Sequence, residues 1–171
     1  MRNNRAEADF REWVLQNRAR LRTTAFLLCG DWFLADDLVQ DTLGRLFSRW
    51  HKVVSSGDPS AYVNRILHNL YADHRRRPAR REISEAEVDA SSLTTTATPG
   101  ERDDDLVRAL LAVPQGQRTV LILRFFEDLS VTQTADLLNT SAGNIKSQTS
   151  RGLKALRCAL MEQQNTSEGA L

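Results

Sequence analysis

The chain has 171 residues, 41% of them hydrophobic and 26% charged; that is room for one ordinary domain or two small ones, and too apolar for a disordered polymer. A net charge of +1 is too small to hold DNA by phosphate neutralisation alone, and two cysteines, Cys29 and Cys158, cannot staple a disulfide scaffold. No apolar run reaches membrane-spanning length and the opening MRNNRAEADFREW lacks a signal peptide's apolar core, so the expectation is a cytoplasmic protein with no stable membrane insertion. The charge is unevenly spread. Residues 1–77 hold 13 Lys/Arg against 9 Asp/Glu, a balance of +4; residues 78–105 hold 3 against 8, or −5; residues 106–171 hold 7 against 5, or +2. Two mildly basic blocks thus flank an acidic one.

From Asp9 to Leu28, apolar residues recur near a helix period at Phe10, Trp13, Val14, Leu21, Phe26, Leu27 and Leu28. Gly30 and Asp31 interrupt the run. A second run covers Ala35 to Trp50, with Leu38, Val39, Leu43, Leu46, Phe47 and Trp50 on one stripe. Asp36, Asp37 and Asp41 stand near its start and Arg45 and Arg49 later, the order a helix dipole favours. HKVVSSGDPS breaks the pattern, and Asp58 before Pro59 reads as an N-cap followed by proline at the first helical position. A third run, Ser60 to about Arg76, puts Tyr62, Val63, Ile66, Leu67, Leu70 and Tyr71 on one side and ends in His74, Arg75, Arg76 and Arg77 before Pro78. Residues 78 to about 103 are acidic, rich in Ser and Thr and nearly free of large apolar side chains; they read as a linker that admits at most a short solvated helix around Ser84–Asp89. Order resumes near Leu106 with Leu106, Leu110 and Leu111, stops at Pro114, and continues from Gln117 to Phe126.

The stretch LSVTQTADLLNTSAGNIKSQTSRGLKALRCAL, Leu129 to Leu160, fits a helix-turn-helix. Ser130 caps the first helix and Gln133 completes a capping box. Ala135 lies inward at the helix crossing, Leu138 packs nearby, and Asn139 suits a left-handed turn. Ser141 caps the second helix and Ile145 returns to the core. The outward positions at its start are Ala142, Asn144, Lys146, Ser147 and Gln148 or Thr149. Small side chains there permit close approach to a major groove; Asn and Gln match adenine and Lys matches guanine. Arg151, Lys154 and Arg157 follow, suited to phosphates or to solvating an exposed face.

Two blocks together carry a resemblance: CGDWFLADDLVQDTLGRLFSRW (Cys29–Trp50) with PSAYVNRILHNLYADHRRR (Pro59–Arg77), and PQGQRTVLILRFFEDLSVTQTADLLNTSAGNIKSQTSRGLKALR (Pro114–Arg157). In order and spacing the chain resembles the extracytoplasmic-function (ECF) sigma factors of bacterial RNA polymerase, group 4 of the sigma-70 family, and within them the short actinobacterial SigE-like branch. The resemblance implies an all-α fold of two small helical domains joined by a flexible acidic linker. Residues 1–77 would be sigma domain 2, 78–105 the linker, and 106–171 sigma domain 4 with its helix-turn-helix.

The implied function is promoter-specific initiation: binding core RNA polymerase, recognising minus-thirty-five and minus-ten DNA and helping to open the promoter. Asp37, Leu38, Gln40, Asp41 and Arg45 would meet the beta-prime clamp helices, and the second domain would hold the beta flap. Ala142, Asn144, Lys146, Ser147, Gln148, Arg151 and Lys154 would contact the minus-thirty-five element. Tyr62, Asn64, Arg65, His68, Asn69, Arg75, Arg76 and Arg77 would contact the minus-ten element by stacking and base-edge contacts, with the loop His51–Asp58 as the rim of a base pocket. Asn144 stands where the family usually has threonine, a departure expected to shift the upstream preference. An anti-sigma factor is the expected inhibitory partner.

Neither a cofactor nor a catalytic residue is expected. His51, His68 and His74 lack a zinc-ligand spacing, and no glycine-rich phosphate loop appears. Two other readings cover parts of the chain. A stand-alone helix-turn-helix regulator needs a dimerisation segment that is not evident, and a polymerase-binding adaptor leaves Arg75–Arg77 unexplained.

Overall fold

The computed structural model describes residues 2–77 and 101–168. The acidic stretch 78–100, with the helix considered around Ser84–Asp89, lies outside the described residues. Every regular element among the described residues is helical, and they fall into two compact units.

In the first unit, α1 (Arg2–Cys29) stops at Gly30, whose φ of 73° is the left-handed turn that glycine adopts without penalty. Asp31 then caps α2 (Trp32–Ser48), its carboxylate accepting from the Phe33 and Leu34 amides at 2.8 and 3.3 Å. The helix therefore starts three residues before the Ala35–Trp50 run does. It breaks at Arg49, and α3 (Trp50–Ser55) follows. The expected loop His51–Asp58 is thus mostly helix, and only Ser56–Asp58 turns. Gly57, at φ 109°, makes that turn, and Asp58 caps α4 (Pro59–Arg76) through the Ser60 amide at 2.9 Å, with proline at the first position as expected.

The first core gathers Leu21, Ala25, Phe26 and Leu28 of α1, Ala35, Leu38, Val39 and Leu46 of α2, Trp50 and Val53 of α3, and Val63, Ile66, Leu67, Leu70 and Tyr71 of α4. Phe10 meets both Phe47 and Trp50, at ring-centroid distances of 5.0 and 5.2 Å, and Trp13 lies 5.9 Å from Trp50. Elsewhere in the unit Trp32 stacks on Phe26 at 3.9 Å, and the Arg22 guanidinium sits 4.3 Å from the Trp32 ring centre while donating twice to Asp36, at 2.6 and 3.1 Å. These contacts tie α1 to α2.

The second unit begins with α5 (Glu101–Ala112), five residues earlier than Leu106, because the polar Glu101–Asp105 stretch forms the first turns of the helix. Then come α6 (Gln115–Leu121), a five-residue π turn (Ile122–Phe126), α7 (Val131–Leu138) and the 27-residue α8 (Ala142–Glu168). The π turn is closed by the Glu127 amide donating to the Ile122 carbonyl at 2.9 Å, and Asp128 follows at φ 55°. Arg124 stitches the exit by donating to the Leu129 carbonyl. Helix α8 packs on α5, α6 and α7. Gly152 is buried there because a Cβ would sit 3.0 Å from Leu121 Cγ and 3.3 Å from Gln117 Cβ.

Candidate nucleic-acid interface

The junction of α7 and α8 is built by local hydrogen bonds. Ser130 Oγ accepts from the Gln133 amide at 3.0 Å while Gln133 Oε1 accepts from the Ser130 amide at 2.8 Å, a complete capping box. Asn139 adopts φ 51°, ψ 52°, and the Thr140 amide reaches back to the Ala135 carbonyl at 3.0 Å. Ser141 Oγ accepts from the Asn144 amide at 3.1 Å and so caps α8. Ile145 is fully buried against Val120 and Ala135, with Val131 and Leu138 around them. Each of these placements follows the sequence expectation.

Burying Ile145 turns the opposite side of α8 outward. At about 100° per residue, Ser147, Arg151 and Lys154 lie within roughly 60° of the direction opposite Ile145, with Asn144 and Lys146 on either flank. Ala142, Asn144, Lys146, Arg151 and Lys154 are exposed and Ser147 is half-buried. Gln148 is also half-buried, displaced toward the Ile145 side. The Asn144 side chain is not loose: its Nδ2 donates to Thr140 Oγ1 at 3.0 Å.

On α4 the expected base-contacting set divides. Arg65, Asn69, Arg75, Arg76 and Arg77 are exposed, and Tyr62 and His68 are half-buried. Arg76 is paired with Asp73 at 2.8 Å. Asn64 is a correction: it is 7% exposed, because it falls on the inward stripe Asn64–Leu67–Tyr71 at helical spacing. Burial also holds the His68 imidazole below its usual pKa, so the ring is neutral at neutral pH, and its Nδ1 is enclosed without a hydrogen-bond partner. A cleft of about 510 Å³ opens beside α3, lined by Arg5, Asp9, Trp50, His51, Val54 and Ser55.

On α2, Asp37, Gln40, Asp41 and Arg45 share one exposed face at i, i+3, i+4 and i+8. Leu38 does not join them. It is 5% exposed and lines the core with Ala35, Val39, Thr42 and Leu46. Phe33, 88% exposed one turn before Asp37, extends that face instead. Sequence reading passed over Phe33, although its position outside the Ala35–Leu38–Leu46 stripe was the available sign. Phe125 and Phe126 are likewise exposed around the π turn. Among the described residues no group of three His, Cys, Asp or Glu side chains is placed to hold a metal, and no helix is long and apolar enough to cross a membrane.

Comparison with known proteins matches two segments. Residues 13–81 match the family described as Sigma-70 region 2, and residues 103–156 match Sigma-70, region 4. The RNA polymerase sigma-E factor of Streptomyces coelicolor is 31% identical over 150 residues, covering 87% of this chain and 84% of the relative. The ECF RNA polymerase sigma factor EcfG of Rhodopseudomonas palustris is 32% identical over 157 residues, covering 89% and 85%. Among solved structures, the sigma factor RpoE of Bartonella quintana, crystallised with the anti-sigma factor NepR, has a TM-score of 0.71 at 25% identity, covering 90% of this chain and 97% of that one. CnrH, solved with the cytosolic domain of CnrY, shares the fold at a TM-score of 0.63 and 21% identity, covering 91% and 90%. With both segments matched and relatives above 30% identity over most of its length, the chain belongs to the ECF group of the sigma-70 family, related to its actinobacterial SigE-like branch.

Proposed function

We propose a division of labour for this sigma factor, a protein that binds core RNA polymerase, recognises promoter DNA and makes no bond itself. Residues 1–77 serve as sigma domain 2, the helices from Glu101 onward as sigma domain 4, and the acidic segment between them as the linker. The observation that carries the reading is the capped turn at Asn139–Ser141. It buries Ile145 and leaves Ala142, Asn144, Lys146 and Ser147 to face a major groove, with Arg151 and Lys154 behind them for phosphates. These residues read the minus-thirty-five element.

In the first unit, Asp37, Gln40, Asp41 and Arg45, extended by Phe33, dock on the polymerase clamp helices. Arg65, Asn69 and Arg75–Arg77, with Tyr62 and His68 at the margin, engage the minus-ten element. The cleft beside His51 has room for an unpaired base. The low net charge of +1 supports shared work, in which the polymerase supplies most of the phosphate contacts. Localisation is cytoplasmic, where polymerase and promoter are. An anti-sigma factor regulates the chain; the supporting relative is the Bartonella quintana RpoE structure, solved with NepR.

The test is reconstitution with core polymerase, run-off transcription on genomic fragments, and mapping of transcript starts. Starts sharing an upstream pair of motifs are expected. The double variant D37A/R45A should lose polymerase binding while keeping its helical circular dichroism. Replacing Arg75, Arg76 and Arg77 with alanine should depress permanganate-detected promoter opening more than polymerase binding. A folded protein that fails to bind polymerase would overturn the reading.

A further inference from the structure

Asn144 occupies the third position of α8, where a side chain can reach back over the cap. Its amide nitrogen reaches Thr140 Oγ1 at 3.0 Å, while its own backbone amide is held by Ser141 Oγ at 3.1 Å. Thr140 is itself anchored. Its amide donates to the Ala135 carbonyl at 3.0 Å and it follows the left-handed Asn139. A lone asparagine on a helix surface turns freely and offers either end of its amide to a partner. Here one end of the amide is fastened to the hydroxyl of a half-buried threonine in the turn, which holds the amide plane and narrows its rotamers.

We propose that Thr140 is a positioning residue that presets the exposed Asn144 amide to read an adenine in the upstream promoter element; this rests on the reading of α8 as the helix that enters the major groove. A carboxamide has two N–H donors and one carbonyl acceptor. Thr140 takes one donor. The other donor and Oδ1 remain as a donor–acceptor pair, which is the complement of the N7 acceptor and N6 amino donor of adenine. Guanine offers two acceptors on that edge, so its O6 would face Oδ1. Thymine offers an acceptor and a methyl group, and cytosine a single donor. Adenine alone satisfies both groups. Fixing the amide beforehand also removes rotamer freedom that binding would otherwise have to quench.

The test uses the full chain with core polymerase and the promoter found by run-off mapping, with each upstream position varied to all four bases in turn. Wild-type protein should show one position that prefers adenine by about 5- to 150-fold, the range for a bidentate pair. N144A should flatten that position and no other. T140V, which keeps the side-chain shape and deletes the hydroxyl, should lower the adenine preference there at least severalfold, and T140S should restore it. T140A repeats the deletion should T140V melt at a lower temperature than wild type. An unchanged adenine preference in folded T140V and T140A would overturn the positioning role, and a preferred base other than adenine at the Asn144-dependent position would overturn the assignment of the base. If no upstream position responds to N144A, K146A or S147A, the groove-reading role of α8 fails first.

Discussion

Phe10, Trp13, Phe47 and Trp50 converge where α1, α2 and α3 meet, and Phe26, Trp32 and Arg22 form a second stack between α1 and α2. All three tryptophans and both tyrosines of the chain lie before Arg77. From Glu101 onward there is none of either, and Phe125 and Phe126, the two aromatic residues there, are exposed. The first unit adds large rings, with Phe26, Trp50 and Tyr71 buried, to an aliphatic core. The second has a purely aliphatic core of Val113, Val120, Leu121, Ile122, Leu123 and Ile145, with small residues at Ala109, Ala135 and Gly152 letting its helices close on one another. The contrast teaches that small all-helical units can fill a core in two ways, with a few large rings among aliphatic side chains or with aliphatic side chains alone and small residues where helices cross.

Substitutions can break or sharpen this contrast, and their expected sizes fall in order. Trp50→Ala should be the most damaging, by about 3–5 kcal/mol, since it empties the centre of the ring cluster; urea unfolding followed by the fluorescence of Trp13 and Trp32 would read it in the first unit alone. Gly152→Ala should destabilise the second unit by about 1–3 kcal/mol through overpacking against Leu121, offset by part of the roughly 1 kcal/mol that alanine gains in helix propensity. The control is Gly44→Ala, where nothing lies within 4 Å of the new Cβ; it should stabilise by roughly 0.5–1 kcal/mol, and equal behaviour of the two glycines in thermal melts would erase the role given to close approach.

Ser130→Ala should remove about 1 kcal/mol by deleting one arm of the capping box, and amide exchange across Val131–Leu138 should quicken accordingly. The smallest effect belongs to the Arg22–Asp36 pair. The hydrogen bonds from Arg22 hold the Asp36 carboxyl below the usual carboxylate range. Its folded pKa is depressed, so the pair contributes at neutral pH and the contribution is lost as pH falls through the folded value. Asp36 is about half exposed and screened by solvent, so Asp36→Asn should lower stability by roughly 0.5 kcal/mol at pH 7 and less at pH 3, measured by paired denaturation curves.

Much of this was readable in the sequence where the determinants are local. The Ser130–Gln133 box, the turn at Asn139, the Ser141 cap and the Asp58–Pro59 start need only residues within four positions of one another, and the structure forms them as expected. What escaped depends on partners far along the chain or on packing. The Arg22–Asp36–Trp32 tie joins residues up to 14 apart. The π turn at Ile122–Phe126 adds one residue to a helical turn without any breaker in the sequence. Asn64 and Leu38 were assigned to outward sites from chemistry and resemblance, yet both lie on the inward stripe of their helices. Phe33 is the reverse case, an apolar side chain outside the stripe that the start of α2 at Trp32 turns to solvent.

Helix α8 is a single rod of 27 residues, about 40 Å long. Its inward contacts at Ile145 and Gly152 alternate along the same few turns with the outward positions proposed to read DNA. If α8 reads DNA as proposed, the interleaving makes promoter preference evolvable. A duplicated copy would then acquire a new upstream target by exchanging the exposed side chains at 142, 144 or 146, with little loss of fold, since exposed exchanges rarely shift stability much. A change at 145 or 152 would instead disturb the packing that seats the whole helix, so the letters can vary one at a time while the spacing between them stays fixed.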